Sequence, residues 1–173
     1  MSQLSVSAEK RHSARKGVAR KLRAQGKIPG VLYGRDSSPI LFSVDEKTMA
    51  GMMKEHGLNS IIELDLGGEK RTCMIAEYQK DVFQRYLIHV DLKMVDLNSK
   101  VIVKVPVALE GEQSVRSKGG IAQLYTRELK VRVLATEIPK RIAFDISDLN
   151  PGESRKLNSV TLPDNVEPLD PMS

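Results

Sequence analysis

Apolar and polar residues alternate with a period of two along most of this chain, and helical spacing shows only in two short stretches near its start. Leu4, Val6 and Ala8 alternate with Ser5, Ser7 and Glu9, which predicts a first strand with one buried face and Arg11 at its end. Gly17 interrupts the pattern. Val18 to Gln25 then reads as a short helix, with Val18 and Leu22 turned inward at i, i+4, Arg20 and Arg23 sharing another face, and Gly26 as the stop. Too short to stand alone, such a helix must dock on a sheet, which would hold the two arginines at a fixed spacing. Pro29 and Gly30 read as a closing turn. Val31 to Tyr33 and Ile40 to Val44 predict two strands of one sheet, joined by a loop from Arg35 to Pro39. Ser43 and Glu46 stand at capping-box spacing with Asp45 in support. A helix is therefore expected through Met49, Met52 and Met53 to His56, ended by Gly57, with the methionines as core.

Ile61 to Leu66, the pair Gly67 and Gly68, and Lys70 to Gln79 spell a hairpin, and a further strand is expected over about Tyr86 to Val95. In that strand His89 and Asp91 fall on one face, with Ile88, Val90 and Leu92 on the other. After the turn DLNSK a second unit begins near Asp96, dividing the chain into 1–96 and 97–173. There Val101 to Ala108 is a nearly continuous apolar strand in which Pro106 suggests an edge or a bulge. SKGG at 117–120 is a turn, Leu129, Val131 and Val133 alternate, and Arg141 to Leu149 gives a last strand and turn. Almost no helical period occurs in this half. The ending VEPLDPMS is expected to fray. The pattern as a whole predicts a mainly β fold with short helices.

Composition is that of an ordinary globular protein, 40% hydrophobic and 28% charged over 173 residues, with room for a real core. Charge changes the picture more. The net charge is +5, yet Lys10 to Arg35 alone holds nine Lys and Arg and no acid, so the basicity is a local device. Residues 1–96 carry 16 basic and 12 acidic groups, against 11 and 10 for 97–173, which places the basic surface in the first unit. A concentrated cationic stretch calls for a polyanionic partner, and nucleic acid is the leading reading. Arg11, Arg20 and Arg23 bring planar forks, Lys16, Lys21 and Lys27 bring point charges, and Tyr33 adds one flat aromatic face. Aromatics make up only 4% of the chain and Trp is absent, which argues for phosphate and groove contacts over a row of stacked bases. A single cysteine, Cys73, excludes an internal disulfide and a multi-cysteine zinc site. Its apolar surroundings mark it as a reduced core residue, in keeping with the cytoplasm. The first ten residues have no basic start followed by an apolar block, and no apolar run is long enough for a bilayer. The protein is expected to be soluble and not exported.

His89 and Asp91 are the only close imidazole and carboxylate pair on a predicted strand face, so acid/base chemistry is one reading of them. No Ser or Cys nucleophile motif accompanies them, and residues i and i+2 on a strand diverge from the geometry of a catalytic His oriented by a bonded carboxylate. A structural hydrogen-bonded pair is the second reading. The third turns both toward the partner of the basic helix, with Asp91 accepting from a base amino group or steadying a neighbouring arginine, and His89 bonding a phosphate, base edge or hydroxyl. GKIPG is no phosphate loop, no GxGxxG follows a strand, and His12, His56 and His89 are scattered without ligand spacing. No cofactor is expected, and Mg²⁺ would enter only with a bound RNA.

With these residues in view, the chain resembles the bacterial large-subunit ribosomal proteins that bind 5S ribosomal RNA, number twenty-five in the large-subunit series, in their CTC or general stress protein branch. The resemblance is carried by RKGVARKLRAQGKIPGVLYG at 15–34, HVDL at 89–92, VPVALEG at 105–111, KGGIAQ at 118–123 and FDISDLNPGES at 144–154. It implies an N-terminal β-barrel over 1–96 that binds 5S RNA at an irregular internal loop, and a mainly β domain over 97–173. It also implies a non-catalytic, cytoplasmic role on the large subunit, with no membrane and a monomer off the ribosome. The C-terminal domain would reach neighbouring ribosomal proteins or 23S RNA. RNA contacts carried over by position are Arg11, Lys16, Arg20, Lys21, Arg23, Tyr33, Gln79, Lys80, His89 and Asp91. Lys21 and Lys80 stand where the family often has Arg, keeping a phosphate contact but losing a bidentate one. Members of this branch usually continue into another strand and a charged tail, whereas this chain stops at Ser173, so its second domain is expected to be trimmed or naturally short. Two other classes compete: an RNA-processing or tRNA-modifying enzyme using His89 and Asp91, and an RNA chaperone or stress factor acting off the ribosome.

Overall fold

A computed structural model of the protein describes residues 4–34, 38–156, 162 and 165–169. The chain forms two compact units, 1–99 and 100–173.

The first unit is a closed six-stranded barrel. In chain order it runs β1 (Leu4–Lys10), α1 (Lys16–Ala24), β2 (Lys27–Tyr33), β3 (Ile40–Asp45), α2 (Glu46–His56), β4 (Ile61–Asp65), β5 (Lys70–Lys80) and β6 (Leu87–Met94). Around the barrel the order is β1-β3-β2-β6-β5-β4, closed by a parallel pairing of β1 with β4, in which Val6 stands opposite Leu64. The alternation seen in the sequence becomes inside and outside. Val6, Ile28, Leu32, Phe42, Val44, Ile62, Leu64, Val90 and Leu92 fill the interior, with Met49 and Met52 of α2 added. Each such side chain contributes roughly 1.5–3 kcal/mol when fully buried. Cys73 lies among them, and burial pushes its thiol up to about 12, so it stays neutral as a core thiol.

Several local expectations are corrected. Pro29 and Gly30 do not close a turn but lie inside β2, where Pro29 pairs with Ser43 of β3 and the ladder to β6 begins one residue later. Gly30 is there because nothing larger fits: a Cβ would stand 2.4 Å from Phe42 Cζ and 2.7 Å from the Val90 carbonyl oxygen. Gly17 is within α1 rather than before it. Ser43 is buried in β3 and caps nothing. The cap of α2 is Asp45, whose carboxylate accepts from Thr48 N at 3.0 Å, while the Glu46 carboxylate accepts from Leu87 N and ties α2 to β6. The Gly67 and Gly68 turn does join β4 to β5, closed by Leu66 N donating to Glu69 O.

The second unit is a four-stranded sheet ordered β10-β8-β7-β9, built from β7 (Lys100–Glu110), β8 (Glu128–Leu134), β9 (Ile142–Asp145) and β10 (Glu167–Pro168). Pro106 marks a change of partner. Up to Pro106 β7 pairs with β8, and from Val107 it pairs in parallel with β9, so the missing N–H falls where one ladder gives way to another. Val103, Val105, Val107, Leu129, Val131, Val133, Ile142 and Phe144 form the buried face. A six-residue helix, α3 (Glu112–Ser117), which the weak periodicity did not announce, buries Val115. Part of the expected frayed end is ordered: Val166 is buried, and Glu167 and Pro168 pair with Arg132 and Val131 of β8. Residues 170–173, and 35–37 of the loop after β2, lie outside the described residues.

Candidate nucleic-acid interface

The strands β2, β6 and β5 are neighbours in the barrel, and their outward residues make one face. Register places Val31 beside Asp91, Tyr33 beside Lys93, and Gln79 opposite His89. Six of the ten residues singled out from the sequence therefore come from this face or its edge: Tyr33, Gln79, Lys80, His89 and Asp91 directly, and Arg23 through a tether described below.

His89 and Asp91 meet as a pair, the second of the three readings of them. Nδ1 of His89 stands 3.0 Å from Oδ1 of Asp91, with both side chains mostly shielded. Side chains at alternate positions lean along a strand and can meet, and β5 shifts register on both sides of this stretch, which increases the local twist. Among the described residues, Oδ1 of Asp91 is a buried oxygen with no partner other than His89 Nδ1. A buried carboxylate oxygen left without a donor is costly, and Nδ1 of His89 is the group placed to supply one. With Nδ1 engaged, Nε2 is the ring nitrogen that remains for a hydroxyl or a base edge of a partner. Half of an acid/base constellation is thus present, but no Ser or Cys side chain is bonded to His89 among the described residues, and Cys73 is sealed in the core.

Helix α1 packs on β2 with no buried side chain. Ala19 and Leu22 are half-buried, whereas Val18, expected to face inward, is 37% exposed. The anchor is polar: Arg23 Nε donates to the Ile88 carbonyl at 3.0 Å, fixing the last turn of the helix to the strand that carries His89 and Asp91. Locally the helix is helped by Lys21 and Arg23 in its last turn, by the dipole rule, and by Gly26, whose φ of 75° lets the chain reverse into β2. It has no side-chain N-cap and no acid in its first turn. Lys16 and Arg20, at i and i+4, repel each other by roughly 0.2–0.5 kcal/mol.

The cations of the basic stretch divide by what they already do. Lys27 is paired with Glu9 at 3.0 Å and Lys10 with Glu69. Arg11 is spent on carbonyls, donating to Phe42 O at 2.7 Å, Ser13 O at 3.2 Å and Gly30 O at 3.4 Å, and desolvation lowers its pKa. It ties the end of β1 to the interior of β2 and β3 and offers charge rather than a free fork. Lys16, Arg20 and Lys21 are exposed and have no ion pair among the described residues. Single-signed and uncompensated, this helix surface is complementary to a polyanion.

The hairpin tip between β5 and β6 carries groups that the strand alternation does not single out. Val82 and Phe83 are exposed there, and the Arg85 guanidinium carbon sits 4.7 Å from the centre of the Phe83 ring and 5.9 Å from that of Tyr86. The available signal was DVFQRY, a linker between two strands with apolar residues where turn chemistry favours small polar ones. Among the described residues no group of three metal-ligating side chains occurs, and no helix is long and apolar enough to cross a membrane.

Comparison with known proteins adds two findings. Residues 6–92 match the Ribosomal L25p family, and residues 100–173 match the family described as Ribosomal protein TL5, C-terminal domain. Curated relatives named "Large ribosomal subunit protein bL25" include one from Geobacter metallireducens, 36% identical, covering 98% of this chain and 89% of the relative. One from Halothermothrix orenii is 35% identical, covering 99% and 79%, and one from Bacillus pumilus is 33% identical, covering 83% and 69%.

Proposed function

We propose that this chain, which belongs to the Ribosomal L25p family and is a structural protein of the large ribosomal subunit rather than an enzyme, binds 5S ribosomal RNA through the outer face of β2, β6 and β5 and the helix α1 beside it. It works with the ribosome in the cytoplasm. The observation that carries the RNA reading is the bond from Arg23 to the Ile88 carbonyl, which holds a helix of uncompensated cations against the bonded His89 and Asp91 pair. Regular A-form RNA has a closed major groove, so a reader of this kind fits its shape to a distorted stack and does not insert a helix. Lys16, Arg20 and Lys21 would meet phosphates, and the two free nitrogens of Arg23 and the ring of Tyr33 would follow the backbone. Gln79, His89 and Asp91 would read hydroxyl and base edges, with Lys80 at the margin and Arg11 holding the three strands together. No cofactor takes part, Mg²⁺ enters only with the RNA, and the protein is a monomer off the ribosome. The C-terminal unit is left for neighbouring ribosomal proteins or 23S RNA.

The test is binding of the purified protein to 5S ribosomal RNA over a salt series, with an unrelated structured RNA as competitor. About five phosphate contacts give a log–log salt slope of roughly −4, and Arg20→Ala should flatten it by about 1. Asp91→Ala should cost about 1–3 kcal/mol, chiefly on 5S RNA, without changing the slope. Equal affinity for both RNAs would leave only a general RNA binder of the chaperone kind. RNA turnover lost in both His89→Ala and Asp91→Ala would sink the structural reading.

A further inference from the structure

The β5–β6 hairpin projects a small aromatic surface that neither the core nor the proposed groove contacts use. Val82 is 92% exposed and Phe83 is 72% exposed even with a guanidinium over its ring. This is not a loose loop. The Asp81 carboxylate, nearly buried, accepts from Arg85 N at 2.5 Å, Tyr86 N at 3.2 Å and Arg85 Nε at 3.4 Å. The backbone closes the same turn, with Asp81 N donating to Tyr86 O and Gln84 N to Asp81 O. Gln84 takes a φ of 58°, the one left-handed residue other than glycine among those described. That conformation is disfavoured for a residue with a side chain, and the hydrogen bonds around Asp81 hold it in place. Burial of Asp81 works against its charge, but the N–H groups of Arg85, Tyr86 and Phe83 outweigh this and hold its pKa below the ordinary value. The turn therefore keeps its ionised staple at neutral pH.

We infer that this tip is a stacking platform for one unpaired nucleobase of the bound RNA, formed by the Phe83 ring with Arg85 and Tyr86. The inference rests on the RNA-binding reading of the adjoining face. Three observations favour a base over an apolar protein pocket. The surface is aromatic and cationic, with a guanidinium over one ring and near a second, and a base can stack on both kinds of plane. The strands that end in the tip are those that carry Gln79, Lys80 and His89, so an RNA on that face passes the tip. Lys80, at the base of the hairpin, is exposed and adds a second positive charge. A low overall aromatic content excludes a row of stacked bases but not a single one.

The test uses the full chain and 5S ribosomal RNA, comparing the wild type with Phe83→Ala, Phe83→Leu and Phe83→Trp. Arg20→Ala reports separately on the groove face, and base alkylation is mapped along the RNA. Phe83 lies outside the core, so these variants should fold as the wild type does. Stacking predicts that Ala and Leu each weaken binding by about 5- to 100-fold at an unchanged salt slope, while Trp keeps it. One unpaired base protected by the wild type should become reactive in the Phe83→Leu complex. If Phe83→Leu binds like the wild type and only Phe83→Ala is weak, the contact is apolar and the stacking inference falls. If Phe83→Ala binds and protects as the wild type does while Arg20→Ala is weak, the tip inference falls and the groove reading stands. If the wild type does not bind 5S RNA, both fall together.

Discussion

A methyl group on Gly30 would meet two things at once, the Phe42 ring at 2.4 Å and the Val90 carbonyl at 2.7 Å. The ring is fully buried and the carbonyl belongs to the neighbouring strand β6, so neither can yield without disturbing the barrel beneath the candidate interface. Gly30→Ala is therefore expected to cost about 1–3 kcal/mol through overpacking, seen as a lower urea midpoint with an unchanged slope. Gly17 is the useful contrast, since a Cβ there touches nothing within 4 Å and the residue lies inside α1. Gly17→Ala should raise stability by about 0.5–1 kcal/mol in the same titration. The sequence shows both glycines alike, one read as a turn and one as a break. What separates them is a ring and a carbonyl supplied by distant strands. His89 and Asp91 teach the same point: alternation placed them on one face, but only the twist of β6 against the shifted β5 shows that they bond.

The two helices of the barrel unit differ in what holds them. Helix α2 buries Met49 and Met52 and is capped by Asp45, while α1 buries nothing, lacks a side-chain cap and is tied down by Arg23. Asp45→Ala should lower stability by about 1 kcal/mol at pH 7. The Thr48 N–H, then the Thr48 hydroxyl, hold the Asp45 carboxyl below its ordinary value against a small opposing effect of desolvation. Its unfolded form thus takes up a proton at higher pH than its folded form, and stability rises with pH across that window. The advantage of the wild type over Asp45→Ala should be fully present above about pH 5 and shrink as pH falls below about 4. A difference that stayed constant down to pH 2 would show that the cap does not act through the ionised carboxylate. Both helices are legible from apolar spacing, because i, i+4 periodicity is a local property. How deeply each one sits is not: the spacing turns Val18 inward, whereas a polar bond to β6 anchors the helix. Cap identity was likewise ambiguous, since Ser43 and Asp45 both precede the helix and only the strand end decides between them.

At the scale of the whole molecule, each unit has its own buried face and its own closed set of strand pairings. Nearly all strands were legible, because alternation and turn residues are local signals. The barrel closure by β1 with β4 and the change of partner at Pro106 were not, since each joins segments far apart in sequence. The charge division, by contrast, needs no structure: the uncompensated cations, the His89 and Asp91 pair and the aromatic tip all belong to the first unit. Residues 1–99 made as a separate chain should therefore fold cooperatively and bind 5S RNA with the affinity and salt slope of the full protein within about threefold. Residues 100–173 should fold without binding it. The affinity of a polyanion complex follows the number of phosphates neutralised, so a contribution from the second unit would show as a shallower slope in the shortened chain. A slope lower by 1 or more, with the fragment shown to be folded, would place at least one phosphate contact on the C-terminal unit and move part of the interface off the barrel.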